Sequence, residues 1–219
     1  VQTTVKKEGL FLQNGLFLSK RVIATDKRIN VVTDIQKQDP EMGLTPKLCI
    51  AGRRGALLLE NNYIPIRLIE FKKSRYPISD IKIVNNKNSF QYLSCNPWIE
   101  KPKLLDSNGN IIWKFTKSKS GVNDVAISDI DKDGYPNFVV GCNGSDGIYL
   151  LNHAGKVIWR QPENNVFQVC VADTNNDGKE EIVTWDTSML VIRNGDGTTI
   201  KAMPEVNATY ISDFYLVKY

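Results

Sequence analysis

The chain has one histidine and four cysteines in 219 residues, and these scarcities argue against several kinds of protein. The single histidine, His153, lies in an Asn-His-Ala-Gly turn, so a Ser-His-Asp or Cys-His nucleophilic mechanism is not expected. The cysteines form no CxxC pair, which argues against a zinc ribbon and favours small buried apolar residues. The glycines form no phosphate-binding loop of the P-loop or dinucleotide type.

Long apolar runs and a coherent charged stripe are also missing. No run approaches the roughly 20 residues that span a bilayer, so membrane insertion is not expected. The net charge of +4 is uneven, because residues 1–100 carry 16 basic and 9 acidic side chains and residues 101–219 carry 12 and 15. The basic residues occur in pairs, so no nucleic-acid partner is expected. The start, Val1-Gln-Thr-Thr-Val, has no signal-peptide character and no Met, as expected of a processed or trimmed product.

One acidic motif occurs twice. Asp129-Ile-Asp131-Lys-Asp133-Gly134 returns 44 residues later as Asp173-Thr-Asn175-Asn-Asp177-Gly178. Each copy follows one β-type run and precedes another, and residues 122–161 contain four such runs separated by turn signals. A period of 44 to 46 residues is typical of propellers, solenoids and arrays.

The repeat can be followed around the whole chain. We predict an all-β fold, a single-domain (1–219), five-bladed β-propeller of four-stranded antiparallel blades, with a short solenoid as the alternative. N- and C-terminal strands pair to complete one blade and close the ring, which removes exposed sheet edges. Trp113 and Trp159 occupy the same outer-strand position, which favours packing between blades over ligand stacking. The predicted blades are 28–71, 78–117, 122–161, 166–203, and 209–219 joined with 1–20.

The repeated acidic loops have the pattern of a calcium site. Alternate positions of a turning loop point inward together, the glycine at position six permits the sharp turn, and position nine closes the shell. All-oxygen ligands favour Ca²⁺ over zinc or copper, and Mg²⁺ suits such a cage less well. The predicted ligands are Asp129, Asp131, Asp133, the Tyr135 carbonyl and Asn137 in the first loop, and Asp173, Asn175, Asp177, the Lys179 carbonyl and Glu181 in the second.

Two further units have weaker versions of the motif. Asp34-Ile-Gln-Lys-Gln-Asp39 has lost the glycine, and Asn85-Asn-Lys-Asn88 has lost its carboxylates, so two calcium sites are expected rather than four. The alternative is that Asp-Gly simply forms a hairpin turn and that the other acidic residues of the motif have no metal-binding role.

The loop Asp-x-Asp/Asn-x-Asp-Gly-x-x-Asn/Glu resembles that of the FG-GAP/VCBS repeat family, which includes the propellers of integrin α-subunits. The resemblance covers residues 122–203 directly. It implies that the loop joins the first and second strands of a blade and binds Ca²⁺. It also implies a recognition role, as in integrin ectodomains and some sugar-binding lectins of this type.

The expected function is a calcium-stabilised extracellular binding module, lectin-like or adhesive, for a glycan or a protein. Loops of this kind fill at the high calcium outside cells, so an extracellular, cell-surface or periplasmic location is expected. The alternatives are a polysaccharide-active enzyme (a lyase or hydrolase) or a fragment of one, and a purely structural propeller. The oligomeric state is left open. The candidate ligand-binding residues are Trp98 and Trp185 as aromatic platforms, with a buried-edge role as the alternative for both, and Arg53 and Arg54 for an acidic ligand.

Overall fold

The computed structural model describes residues 100–186 and 188–204 in full, together with Val84 and residues 91–95. In the rest of the first hundred residues it describes the strands alone. The contacts divide the chain into two compact units, 1–83 with 107–110, and 84–106 with 111–219. Among the described residues no helix has the length and apolar character to cross a bilayer.

The first unit contains two strand pairs and one four-stranded sheet. The pairs are β1 with β4 and β2 with β3, and in the sheet β5-β6-β7-β8 every strand pairs with the next along the chain. Its strands are β1 (Val5–Lys6), β2 (Leu10–Phe11), β3 (Phe17–Leu18), β4 (Val22–Ile23), β5 (Asp34–Lys37), β6 (Leu48–Gly52), β7 (Gly55–Leu59) and β8 (Pro65–Glu70).

The remaining strands form three antiparallel sheets of four strands each. Most of these strands belong to the second unit. Each sheet is a meander in which every strand pairs with the next along the chain. The strands are β9 (Asp80–Asn86), β10 (Ser89–Asn96), β11 (Glu100–Leu105) and β12 (Ile111–Lys114); β13 (Val122–Ser128), β14 (Asn137–Cys142), β15 (Ile148–Leu151) and β16 (Val157–Gln161); β17 (Gln168–Ala172), β18 (Glu181–Trp185), β19 (Leu190–Arg193) and β20 (Thr199–Met203).

The two weaker acidic motifs lie differently from the prediction. Residues 34–37 of the first motif form strand β5, so the expectation that Asp34 begins a loop is wrong. In the second motif Asn85 and Asn86 end β9, and β10 begins at Ser89. The connection between β9 and β10 is too short for a metal-binding loop of nine residues. Residues 209–219, on which the predicted ring closure depends, lie outside the described residues.

All four sheets repeat one irregularity on the fourth strand. Leu104 pairs with Trp113, and the next residue, Leu105, pairs with Ile111. Ile112 therefore has no partner on β11 and is the extra residue of a β-bulge. The same register shift leaves one extra residue in each of the other sheets, and the four are Ile66, Ile112, Ile158 and Ile200. The side chains of the last three are 47%, 48% and 49% exposed. The sheets are therefore copies of one unit in detail as well as in order.

The core of the second unit lies between its sheets. One apolar cluster joins β10 and β11 to β13, β14 and β15, with Leu93, Leu104, Val125, Phe138 and Leu151 at most 1% exposed. A second cluster joins β14 and β15 to β17 and β18. Strands β14 and β18, each the second strand of its sheet, are buried along their whole length.

Trp113 packs on the sheet that follows its own, as the repeated position predicted. Its ring meets Phe138 edge to face with centroids 4.9 Å apart, and its indole N–H donates to the His153 carbonyl at 3.0 Å. The turn glycine Gly155 lies directly against the indole, since a Cβ added there would be 2.7 Å from the ring.

Trp159 repeats this arrangement one sheet later. Its indole N–H donates to the Gly195 carbonyl at 2.8 Å, and a Cβ added at Gly197 would lie 3.1 Å from the ring. The prediction that these tryptophans pack between sheets is confirmed. The corresponding position on β20 is Lys201, which pairs with Ile192 and is exposed.

Two of the cysteines in the described part of the chain are core residues. Cys95 is 3% exposed and Cys142 is fully buried, both in the first apolar cluster, while Cys170 is half-buried. Burial raises the pKa of the Cys142 thiol to about 11. The prediction of small buried apolar residues is confirmed for Cys95 and Cys142.

Candidate metal centre

The first acidic loop connects β13 to β14 and wraps its backbone around its own carboxylates. Gly134 has a φ of 83°, and its N–H donates to Oδ2 of Asp129 at 2.9 Å. The Tyr135 N–H donates to Oδ1 of Asp133 at 2.7 Å. Lys132, at position four, also lies in the left-handed region with a φ of 55°, although it is not glycine. The backbone is thus coiled so that positions one, three and five converge.

The convergence brings three carboxylates into one cluster. Asp129, Asp131 and Asp133 each place one oxygen within 4.8 Å of the others. Asp131 and Asp133 are exposed, whereas Asp129 is half-buried. Oδ1 of Asp129 is fully buried and has no hydrogen-bond partner within the part of the chain that the structure describes. A cation placed among the three carboxylates would offset their mutual repulsion and give the buried oxygen a partner, and an all-oxygen set of this kind suits calcium.

Asn137, the predicted ligand at position nine, lies under the loop at 2% exposure. Its Oδ1 accepts from the backbone N–H groups of Ile130 at 2.8 Å and Asp131 at 3.4 Å. Its amide nitrogen donates to Oδ2 of Asp131 at 3.4 Å. Both lone pairs of the amide oxygen are therefore used by the backbone. In this arrangement Asn137 orders the loop and orients Asp131.

The second loop, between β17 and β18, repeats the backbone turn of the first and two of its hydrogen bonds. Asn176 and Gly178 have φ values of 61° and 82°. The Gly178 N–H donates to Oδ2 of Asp173 at 2.9 Å, and the Lys179 N–H donates to Oδ1 of Asp177 at 2.7 Å. The two loops thus share one backbone conformation, as the repeated motif predicted.

The centre of the second loop differs, because an amide stands where the first loop has a carboxylate. The Asn175 amide nitrogen donates to Asp177 and to Glu181, both at 3.2 Å. Glu181 is 2% exposed, and its other oxygen accepts from the Thr174 N–H at 2.7 Å and hydroxyl at 2.6 Å. Among the described residues, only the first loop has three acidic side chains within the 4.8 Å range.

Trp185, one of the candidate ligand-binding residues, is at the end of β18 and only 4% exposed. An indole buried to this extent presents no face to a ligand, so its assignment as a surface platform is wrong. Trp98, Arg53 and Arg54 lie outside the described residues. The lone histidine, His153, is exposed and stacks on Tyr135 of the first loop, with ring centroids 4.6 Å apart.

One charged network was not anticipated, because its residues have the pattern of an ordinary Gly-Ser-Asp-Gly turn. Asp146 ends a short 3-10 helix and is 9% exposed. Its Oδ2 accepts from the Ser120 N–H at 2.6 Å and the Ser118 hydroxyl at 3.0 Å, and Arg160 lies 3.6 Å from Oδ1. Burial alone would raise the pKa of Asp146, but the bonds from Ser120 and Ser118 outweigh it and lower that pKa.

A second buried charge pair joins the connection before β17 to the sheet of β18 and β19. The Arg193 guanidinium, 4% exposed, forms an ion pair with Glu163 and donates to the Thr184 hydroxyl at 2.8 Å. Burial raises the pKa of Glu163 more than the charge of Arg193 lowers it. Both networks tie connections to sheets and give structural support rather than a reactive site.

Residues 129–184 match the FG-GAP-like repeat family, which spans both acidic loops. No curated protein sequence matches the chain. A crystal structure of BBS1N in complex with ARL6DN, soaked with lead, is similar at a TM-score of 0.65 and 10% identity, over 94% of this chain and 64% of that one. The V. cholerae biofilm matrix protein Bap1 is similar at a TM-score of 0.52 and 15% identity, over 73% of this chain and 26% of that one.

The chain thus spans less than two thirds of the length of either structure. At these identities the likeness shows the fold, an all-β arrangement of successive four-stranded sheets of β-propeller type. Residues 129–184 thus match the FG-GAP-like repeat, and the four-stranded sheets around them have a fold of β-propeller type.

Proposed function

We propose that this protein is a calcium-stabilised recognition module built on an FG-GAP-type β-propeller, with another protein as its ligand. The observation that carries the calcium proposal is the buried, unpartnered Oδ1 of Asp129 inside the carboxylate cluster of the described structure. The ion would be held by Asp129, Asp131 and Asp133, with the Tyr135 carbonyl at position seven. Bound calcium supplies positive charge that offsets carboxylate repulsion and fixes the turn.

The second loop is proposed as a weaker calcium site. Asp173, Asn175, Asp177, the Lys179 carbonyl and Glu181 would hold the ion. It has one carboxylate fewer among positions one, three and five, and a neutral ligand lowers calcium affinity. The Asn175 amide nitrogen also bridges two of the acids and must turn away before its oxygen can bind a cation. We therefore expect the first loop to fill at lower calcium concentrations than the second.

The wider architecture is part of the proposal. The four-stranded sheets, four in the described structure, have the same strand order and the same register shift on the fourth strand. Short strand pairs precede them in the sequence. We propose that a fifth blade forms from residues 1–20 and 209–219 and closes the ring. Such closure leaves loops at two ends of a rigid ring, and rigid scaffolds that present loops are well suited to recognition.

A protein ligand is favoured by what is known of the similar structures. BBS1N was crystallised in a complex with ARL6DN, and Bap1 is a biofilm matrix protein. A glycan is the second candidate class, from the resemblance to lectin-like propellers. The experiment is a pair of arrays, one of extracellular proteins and one of glycans, probed in millimolar calcium and in EDTA. A saturable, calcium-dependent protein hit supports the proposal, a glycan hit replaces the ligand class, and product formation from a polysaccharide would make it an enzyme.

Calcium content and affinity test the metal and the location together. Elemental analysis of the purified chain should find calcium, and a dissociation constant of about 10⁻⁴ to 10⁻³ M would fit the extracellular location that we propose. Submicromolar affinity would instead fit a cytosolic protein. No calcium binding by a folded chain would refute the metal proposal.

A further inference from the structure

The two acidic loops lie side by side because the strands that lead into them are fastened together. Oδ2 of Asp124 on β13 accepts from the Val169 N–H on β17 at 3.0 Å. The amide nitrogen of the neighbouring Asn123 donates to the Val166 carbonyl at 3.0 Å. With the two strands held in this register, the first loop leaves β13 next to the point where the second loop leaves β17.

Side chains in and beside the first loop form two hydrogen bonds to the second loop and one apolar contact next to it. The Lys132 ammonium donates to the carbonyl of Gly178, and the Ser128 hydroxyl donates to Glu180. Ile130 packs into the apolar cluster that includes Ile182, one residue beyond the second loop. Lys132 is the one that reaches the metal-binding backbone itself, at position six of the second loop.

We propose that Lys132 is a positioning residue that couples the two loops, so that calcium in the first loop raises the calcium affinity of the second. This inference rests on the proposed function. Lys132 stands between Asp131 and Asp133, so an ion held by both carboxylates fixes the backbone on each side of it. That backbone is in the left-handed region, with a φ of 55°, which a lysine adopts only when its surroundings enforce it.

The bond from Lys132 acts on the part of the second loop that supplies a ligand. The carbonyl that it holds belongs to the Gly178–Lys179 peptide, whose N–H donates to Oδ1 of Asp177 at 2.7 Å. This peptide is therefore held at both its oxygen and its nitrogen. The next carbonyl is that of Lys179, the proposed ligand at position seven. Fixing the peptide orients that carbonyl before the ion arrives, which reduces the ordering cost of binding.

The hydrogen bond from Lys132 favours calcium binding in the second loop, whereas the positive charge of its ammonium disfavours it, because that charge repels a cation there. Lys179 provides a matched control for charge. It is exposed, lies in the same loop, and its ammonium has no hydrogen-bond partner in the described structure. Lys179→Met removes one positive charge beside the second loop without removing a bond. If charge decided the outcome, Lys132→Met and Lys179→Met would both tighten binding in the second loop.

The experiment is a thermodynamic cycle on the full chain, with calcium alone as the titrant. Isothermal calorimetry is run on the wild type and on the variants Asp129→Asn, Lys132→Met and the double variant, and Asp173→Asn identifies the second-loop step. We expect Asp129→Asn to weaken calcium binding in the second loop about 5-fold, within the usual range of coupling between sites. Lys132→Met should weaken calcium binding in the second loop by a similar factor. In the double variant, Asp129→Asn should cause no further weakening. Lys132→Arg should restore the coupling, and Lys179→Met should not weaken binding.

Backbone amide NMR signals give a readout independent of affinity. Calcium in the first loop should shift the Lys179 amide in the wild type but not in Lys132→Met. Two independent sites in the wild type, or coupling of equal size in the wild type and in Lys132→Met, would overturn the inference and leave the calcium proposal standing. Failure of the wild type to bind calcium at all would overturn both.

Discussion

Asp129→Asn should reverse the stability order of variant and wild type when calcium is removed. Each pair of carboxylates in the first loop lies within 4.8 Å, and Asp129 belongs to two such pairs. Two unit charges at this separation repel by about 0.9 kcal/mol in water. Salt at physiological strength reduces this further, so the substitution should relieve about 1 kcal/mol in EDTA. For a chain of this length the variant should melt about 2–4 °C above the wild type.

In calcium the wild type should be more stable than Asp129→Asn, the reverse of the order in EDTA. An ion present at about 100 times its dissociation constant stabilises the folded chain by about 2.7 kcal/mol. The wild type should therefore gain about 5–10 °C on calcium addition. Asp129→Asn loses the carboxylate whose buried oxygen has no other described partner, so it should gain only what the second loop supplies.

Differential scanning fluorimetry in EDTA and in millimolar calcium measures both values. Asp196→Asn is a suitable control, because Asp196 lies in a turn outside the acidic loops and accepts bonds from Thr198. Its effect should be the same in both buffers. If Asp129→Asn were less stable than the wild type by the same amount in EDTA and in calcium, the three carboxylates would not form a cation site.

Three further predictions concern the rest of the fold. Gly155→Ala should destabilise the protein by about 2–5 kcal/mol in chemical denaturation, because φ is 72° and the added methyl meets the Trp113 indole at 2.7 Å; a loss below about 1 kcal/mol would contradict that contact. Asp146 has a lowered pKa, so its stabilisation should be full at neutral pH and lost on acidification below about pH 4; Asp146→Asn should flatten that part of the stability curve, and an unchanged curve would contradict the network. Cys142 should react with a thiol reagent only at the rate of unfolding, since it is buried and its pKa is about 11; fast labelling of the native protein at neutral pH would show that it is accessible.

The repeat frame could be predicted because it is local. The acidic motif, its glycine and the apolar runs on either side recur within a few residues of each other, and the structure places a loop between two strands at both motifs. The tryptophan position could also be predicted, since one residue type recurs at one place in the unit. The left-handed position four could not, because Lys132 and Asn176 differ in type and only one of them favours that conformation.

Other errors have physical causes. In Asp34-Ile-Gln36-Lys the polar residues alternate, and alternation is shared by a metal loop and by one face of a strand, so the pattern predicts a loop where β5 lies. Trp185 precedes the turn-like run Asp186-Thr-Ser, and its burial depends on tertiary packing that local sequence does not show. The contact from Lys132 to Gly178 joins residues 46 apart and exists only once two sheets are packed together.

The isoleucine bulges bear on how this protein avoids aggregating. An outer strand with an unpaired edge is a template on which another chain can add a strand, and apolar edges are the most dangerous. Here each fourth strand carries an extra residue, at Ile112, Ile158 and Ile200 in the second unit, that breaks the regular spacing of its backbone groups. An incoming strand would find its hydrogen bonds out of step after two or three residues. We therefore expect the bulges to disfavour strand addition at these edges, where the half-exposed isoleucines lie.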